Sequence, residues 1–364
     1  MRIAVDAMGG DFAPQAIVEG ALAALRGCRD IEKLFLVGDE TAIRAEIQRC
    51  GGLPARVEIR HASEVIGMGE SAAKSVRNKR DASISRAVDL VKAGEADAVF
   101  SAGNTGASVA AATLKLRTLE GVRRSAIAVA MPTPTDKPMV LVDGGATPDC
   151  TPEILMQFAV MGSAYSQKII GQASPKVGLM SVGSEVTKGN TLSRETYELL
   201  SKAPIRFIGN VEGHDLFEGD VDVVVCDGFT GNVILKTSES VAHAIGRWLK
   251  QELTRNPIRL LGALLLRGGL NALRRKTSKS TYGGAPLLGV NGICIIGHGS
   301  SDAVAAQNGI MQAVRAVQSR LNAAILEGMR QTDELLPPPG GLLQTMRSRL
   351  SERIEEIRAG SPRP

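Results

Sequence analysis

The sequence predicts an α/β protein, an open and mainly parallel sheet with helices on both faces, making three layers. Two observations carry this reading. Short apolar runs alternate with longer segments of helical periodicity along most of the 364 residues. Each apolar run also ends in a small polar turn rich in Gly, Asn, Ser, Thr and Asp. Glycine supplies those turns, with 40 of the 364 residues against roughly 7% in an average protein.

The first unit is a strand at residues 3–5, a turn Asp6-Ala7-Met8-Gly9-Gly10-Asp11, and a helix opened by Pro14 that carries Ile17, Val18, Leu22 and Leu25 on one side. A strand at 34–37 leads through Gly38-Asp39 into a helix ending near Gln48. Residues 98–100 precede Ser101-Ala102-Gly103-Asn104-Thr105-Gly106 and an Ala-rich helix to about Leu116. Residues 177–180 precede a loop and a helix near 194–200, and 223–225 precede Asp227-Gly228-Phe229-Thr230-Gly231-Asn232 and a helix to about Lys250. Residues 293–296 precede Gly297-His298-Gly299-Ser300 and one long final helix to about Leu326. The three prolines of 131–138 rule out regular structure there and predict a crossover between two lobes. Pro337-Pro338-Pro339-Gly340-Gly341 reads as a linker, followed by a charged amphipathic helix over 342–358 outside the core. In parallel sheets ligands bind at the carboxyl ends of the strands, which are these polar turns.

Composition narrows the function. Eleven aromatic residues are too few for a surface that stacks single-stranded nucleic acid, so no nucleic-acid partner is expected. Net charge is +5, but residues 255–279 hold seven basic side chains and no acid, leaving the remainder at −2. One local cationic segment points to an anionic partner. Five scattered cysteines without a CxxC pair fit a reducing compartment. The N-terminal stretch has an acid and no apolar core, so it is not read as a signal peptide. The leucine-rich stretch around 260–266 is far short of the ~20 residues of a membrane span. A cytoplasmic location is expected.

The sequence has no GxxxxGK[ST], GxSxG, HExxH, or GxGxxG after a strand, which disfavours a P-loop ATPase, a serine hydrolase, a zinc peptidase and an ordinary dinucleotide oxidoreductase. Ser101–Gly106 offers backbone N–H groups, the Ser101 and Thr105 hydroxyls and a helix N-terminus, a setting for an oxyanion such as phosphate. Helix capping by Asn104 or Thr105 explains the same residues. Asp227–Asn232 with Lys236 one turn later is a second such loop, and 182–190 with Lys188 is a third. His298 follows a buried strand, where it either contacts a ligand or bonds the backbone. His61, His214 and His243 fall in no motif and are read as surface or capping residues. No set of His, Cys or carboxylates has a metal-ligand spacing.

The cationic segment, 254–281, is amphipathic. On a helix Ile258, Leu260, Leu261, Leu264 and Leu265 share one side, with Arg259 and Arg267 on the other. Gly268-Gly269 is expected to break it, and Leu266, Leu270 and Leu273 then precede Arg274-Arg275-Lys276. A membrane-surface helix and a subunit-interface helix with a basic edge both fit.

Seven motifs in order give a resemblance. They are Val5–Asp11 with Pro14, Ser101–Ala107, Lys188-Gly189-Asn190, Gly209–Gly213, Asp227–Val233 with Leu235-Lys236, Tyr282–Gly289, and His298-Gly299-Ser300. Together the sequence resembles the bacterial phosphate acyltransferases, the acyl-carrier-protein:phosphate transacylases that make acyl-phosphate for phospholipid synthesis. The resemblance runs from residue 3 to the final long helix. It departs at Thr147, where a Gly-Ala-Asn ending is usual, and at Ser184-Glu185, where two acids are usual.

The resemblance implies a fold like that of the isocitrate/isopropylmalate dehydrogenases, a homodimer, and no metal, nucleotide or other cofactor. It implies transfer of an acyl group from acyl carrier protein (ACP) to inorganic phosphate, with a catalytic domain over 1–335 and a linker and charged tail over 336–364. Lys188, Asn232 and His298 are then the catalytic candidates. Asp6, Gly10, Ser101, Gly103, Asn104, Thr105, Gly106, Asp227, Thr230, Gly231 and Lys236 are the candidates for phosphate or substrate contact. Arg259, Leu261, Leu265, Arg267, Arg274, Arg275 and Lys276 are the candidates for contact with acidic ACP or a membrane surface. A downstream acyl-phosphate:glycerol-3-phosphate acyltransferase is the implied consumer of the product. An acyl-CoA-using phosphotransacetylase, a metal-dependent hydroxyacid dehydrogenase and a non-catalytic scaffold recruited to membranes are the alternatives.

Overall fold

The structure, a computed structural model, describes residues 1–135, 137–276, 282–332 and 335. Among them eleven strands form one sheet. They are β1 (Arg2–Asp6), β2 (Lys33–Gly38), β3 (Val57–His61), β4 (Ala98–Ser101), β5 (Ala126–Met131), β6 (Met139–Val142), β7 (Val177–Met180), β8 (Phe207–Val211), β9 (Val223–Val225), β10 (Ala285–Leu288) and β11 (Ile293–Ile296). Their order is β3-β2-β1-β4-β11-β10-β5-β6-β9-β7-β8.

Most strands are short and buried on both faces, whereas the edge strands β3 and β8 are only partly buried. Alternation divides them: Ile3 and Val5 enter one layer and Ala4 the other, as do Leu34 and Leu36 against Phe35 and Val37. On the first face lie α1 (Gln15–Gly27), α2 (Glu40–Arg49), α6 (Pro152–Tyr165), α11 (Ala303–Gln318) and α12 (Leu321–Arg330). On the second lie α4 (Ser83–Lys92) and α5 (Thr105–Leu116), with α3 (Ala72–Asn78) against α5. A smaller cluster, including Leu141, Val211 and Val224, is covered by Ile234 and Leu235 of α8 (Gly228–Leu253). The helix α7 (Thr191–Leu200) packs on α6. Beyond α8 come α9 (Pro257–Leu265) and α10 (Arg267–Lys276).

The predicted three-layer α/β architecture is the observed one, with three corrections. Residues 131–138 are not a crossover between lobes: they turn the antiparallel hairpin β5–β6 within the one sheet. The final long helix is two, because Arg320 takes a left-handed φ of 52° between α11 and α12. The helical break in the basic segment falls at Leu266, and Gly268-Gly269 lie inside α10. The tail helix expected over 342–358 and the linker before it lie outside the described residues, as does Lys279.

One feature of the topology governs the site. The block β3-β2-β1-β4-β11 is parallel, as is β6-β9-β7-β8. Between them β10 and β5 pair antiparallel with each other and with their other neighbours. Three successive reversals leave the second block running against the first. Loops following β1, β4 and β11 therefore leave one edge of the sheet, and loops following β6, β7 and β9 leave the other.

Helices α1 and α11 approach closely at Gly20. A methyl group there would overlap the Ala303 carbonyl oxygen and sit 2.7 Å from Ala306 Cβ. Gly20→Ala is therefore expected to destabilise the protein by about 1–3 kcal/mol from overpacking, despite the better helix propensity of alanine. Urea denaturation of the variant measures it.

Candidate active site

At the first edge Asp6 ends β1 and is 2% exposed. The Ser101 hydroxyl donates to its Oδ2 at 2.7 Å, and the Gly103 amide donates to Ser101 Oγ at 3.2 Å. Burial pushes the Asp6 carboxyl above its ordinary value, against the hydrogen bonds from Ser101, Ser83 and Met8. The loops after β1, β4 and β11 touch backbone to backbone. Gly10 takes a φ of 112° that favours glycine, and a Cβ there would press tightly on Gly299 O and Ala102 O, at 3.1 and 3.2 Å. Asp11 N donates to Gly299 O at 2.7 Å.

Asn104 caps α5, its Oδ1 accepting from Ala107 N at 3.0 Å. Its amide nitrogen faces the carbonyl oxygens of Gly67, Met68 and Glu70 at 3.0–3.3 Å. The side chain thus clips residues 67–70 over the helix start. Glu70 completes the clip. Lys79 foremost, then the Gly67 amide and the Ser75 hydroxyl, pull its carboxyl down to about 2. With Ser101 and Asn104 committed inward, Thr105 and Gly106 remain exposed. Their amides lie in the first turn, where no intrahelical acceptor exists. Those amides and the Thr105 hydroxyl are the groups free to meet an anion. His298 is exposed in the loop that follows β11. Ser300 N donates to its Nδ1 at 3.1 Å, so the neutral ring carries its proton on Nε2.

At the second edge Asp143 directly follows β6, fully buried. Its carboxylate accepts from the amides of Ile127, Gly145, Ala146 and Thr147 at 2.6–3.1 Å. Burial pushes this carboxyl up, and the four amides pull against it. The start of α8 lies directly on this loop. A methyl at Gly231 would overlap the Asp143 carbonyl oxygen, and one at Gly228 would sit 2.7 Å from Asp143 Oδ2. Asp227 caps α8, accepting from Thr230 N and Thr230 Oγ1, each at 2.8 Å. Asn232 is exposed and lies over Gly145, with Lys236 exposed one turn on. Lys188 leaves the neighbouring loop after β7, its stem against Gly183. Its ammonium is exposed and makes no ion pair among the described residues. Burial pushes the Cys150 thiol up to about 12 and the Cys226 thiol up as well, so neither offers a thiolate nucleophile.

The structure thus brings together Asp6, Gly10, Ser101, Gly103, Asn104, Thr105, Gly106 and His298 at one edge. It gathers Lys188, Asp227, Thr230, Gly231, Asn232 and Lys236 at the other. Asp143 is a site residue that the sequence reading does not single out. Its signal was the one that marked Asp6: an Asp ending an apolar run before two glycines. The 67–70 segment carried no such signal, since its link to Asn104 spans 34–37 residues. His61 accepts from Glu40 N at the start of α2, and His214 and His243 are exposed.

The basic segment stands away from the core. No residue of α9 is buried, and Ile258 and Leu265 are each more than 80% exposed. Arg255 and Arg259 both pair with Glu252, just before the acid-free stretch. Arg267 is exposed, and Lys276 Nζ donates to Pro134 O at 3.2 Å. Arg274 and Arg275 lie on α10. Among the described residues no helix is long and apolar enough to cross a membrane.

A profile of the family described as "fatty acid synthesis protein" matches residues 1–324. A phosphate acyltransferase of Akkermansia muciniphila is 48% identical over 335 residues, spanning 90% of this chain and 96% of its own. One from Desulfitobacterium hafniense is 51% identical over 320 residues, spanning 88% and 95%. Among solved structures, a phosphotransacetylase from Streptococcus pyogenes overlays with a TM-score of 0.58 at 18% identity, covering 87% of this chain and 94% of its own. A 4-hydroxythreonine-4-phosphate dehydrogenase from Klebsiella pneumoniae overlays at 0.51 and 14%, covering 87% and 98%. These two likenesses concern the fold.

The exposed amide pair generates a prediction. Asn104 is already extended at ψ 115°, as a residue before proline must be, and proline is favoured at the first helical position. Thr105→Pro should keep α5 while deleting one amide and one hydroxyl donor. Titration calorimetry is expected to show inorganic phosphate bound about tenfold or more weakly, with an unchanged melting temperature.

Proposed function

This chain belongs to the phosphate acyltransferase family, and we propose that it moves a fatty acyl group from acyl-ACP to inorganic phosphate, for phospholipid synthesis. The observation that carries the reading is identity near one half with phosphate acyltransferases over about nine-tenths of the chain. A phosphate oxygen attacks the thioester carbonyl carbon, forming a C–O bond. Collapse of the tetrahedral intermediate breaks the C–S bond, and the proton of the phosphate ends on the pantetheine sulfur. A thiol of pKa about 8.5 is a competent leaving group. No acyl-enzyme is required, so the step needs positioning and electrostatic stabilisation.

In this reading Thr105 and Gly106 hold the phosphate, with Asp6, Ser101, Gly103 and Asn104 fixing the loop that presents them. Lys188 supplies positive charge to the phosphate or the developing oxyanion, and Asn232 donates to the carbonyl oxygen. His298, in the loop after β11, positions the nucleophile. Residues 1–335 form the catalytic domain and 336–364 a linker and tail. A phosphate oxygen must come within about 3–3.5 Å of the thioester carbon to attack it, so the roles at the two sheet edges meet through a second subunit of a homodimer. ACP, an acidic partner, docks on Arg267, Arg274, Arg275 and Lys276, and the acyl-phosphate passes to a glycerol-3-phosphate acyltransferase.

We assign α9 and α10 to reversible contact with an anionic membrane surface. Five aliphatic side chains of α9 face solvent. Burying an aliphatic side chain contributes about 1.5–3 kcal/mol, and each basic residue near an anionic surface adds about 1 kcal/mol. A subunit interface is the second reading, favoured by Val241, Ile245 and Trp248, which extend the exposed apolar surface along one face of α8.

Comparing rates with palmitoyl-ACP and palmitoyl-CoA tests the substrate. A preference for the CoA thioester would replace the ACP reading. Lys188→Ala is expected to lower kcat roughly 10²-fold or more, and near-native turnover would remove Lys188 from the mechanism. The pair Leu261→Glu and Leu265→Glu is expected to abolish salt-sensitive binding to anionic vesicles and leave transacylation of soluble substrate intact. If the double variant instead runs as an inactive monomer in gel filtration, the leucines belong to the subunit interface.

A further inference from the structure

Beside the Ser101–Gly106 loop lies a small, partly open cavity of about 10 Å3, whose lining includes Ser108, a residue given no role above. Asp6, Ser83, Ser101 and Ser108 line it, on β1, α4, β4 and α5. All four are at most 2% exposed. The Ser101 hydroxyl is spent on Asp6, and the Ser83 hydroxyl also reaches that carboxyl. The Ser108 hydroxyl is buried with no hydrogen-bond partner. An unpartnered hydroxyl inside a protein is costly and uncommon. The space fits about one water molecule, and polar cavities of that size hold water while apolar ones stay dry.

We propose that this cavity holds one ordered water joining the Ser108 hydroxyl to the Asp6 carboxyl, and that Ser108 is thereby a positioning residue for the anion-binding loop. The linkage runs in short steps. The water ties Ser108, in the first turns of α5, to Asp6 at the end of β1. Asp6 accepts from Ser101, and Ser101 accepts from Gly103 N. Gly103 leads directly to the capped start of α5 and the exposed amides of Thr105 and Gly106. With the water in place, the helix start is held from both sides of the cavity. Without it, the Asp6–Ser101 bond alone sets the loop. The positioning role rests on the reading of Thr105 and Gly106 as phosphate donors, whereas the water itself does not.

Two measurements test it. A high-resolution crystal structure of the full chain should contain a water within hydrogen-bonding distance of Ser108 Oγ and an Asp6 carboxyl oxygen, and an empty cavity overturns the proposal. Steady-state kinetics of Ser108→Ala should raise the KM for phosphate by about tenfold, as a small displacement of a binding group does. Its KM for acyl-ACP should not change, and its kcat should move much less than its phosphate KM. Ser108→Thr, which keeps the hydroxyl, should restore the phosphate KM. If Ser108→Ala leaves that KM unchanged while Thr105→Pro raises it, the positioning role is wrong and the phosphate reading of the loop stands. If Thr105→Pro also leaves it unchanged, the phosphate reading fails and takes the positioning role with it.

Discussion

Two carboxylates buried at strand ends, Asp6 and Asp143, are what the rest of the site depends on. A carboxyl group out of water must find donors, and in a glycine-rich turn the nearest donors are backbone amides and small hydroxyls. Asp143 takes four amides from the residues around it. Asp6 takes Ser101, and through it the amide of Gly103. Each arrangement converts a flexible run of glycines into a fixed loop without a ligand present. The glycines then matter for closeness: Gly231 and Gly228 let α8 begin on top of Asp143, and Gly10 lets three loops meet above Asp6.

The second constraint is the direction of the strands. Three antiparallel pairings around β10 and β5 set two parallel blocks head to tail. A uniformly parallel sheet would have put all the polar turns on one edge. Here the exposed first-turn amides of α5 leave one edge, and the loops that carry Lys188 and Asn232 leave the other.

Much of this was legible in the sequence, and the limits have physical causes. Six strands followed by helices, β1, β2, β4, β7, β9 and β11, announced themselves by the glycine-containing polar turn that ends each. The strands β3, β5, β8 and β10 did not, nor did β6, although Asp143-Gly144-Gly145 ends it in such a turn. In β5 and β6 a proline-rich turn separates two apolar runs, and an apolar run carries no mark of whether its neighbour is parallel. That ambiguity hid the reversal, and with it the division of the site. The loops themselves were found by composition, but composition cannot say which side chains turn inward. Ser101 and Asn104 read as ligands in the sequence, and in the fold their polar atoms are spent on Asp6 and on the carbonyls of 67–70. Arg320 gave no warning of the break after α11, since a left-handed arginine leaves no pattern.

The most direct measurement is the release of free ACP thiol from palmitoyl-ACP by the purified full chain, with and without inorganic phosphate, while acyl-phosphate is trapped with hydroxylamine. Direct attack by phosphate requires thiol release that depends on phosphate, with one trapped acyl group for each thiol. Thiol released equally fast without phosphate, as free fatty acid forms, would contradict acyl transfer and mark the chain as a thioesterase.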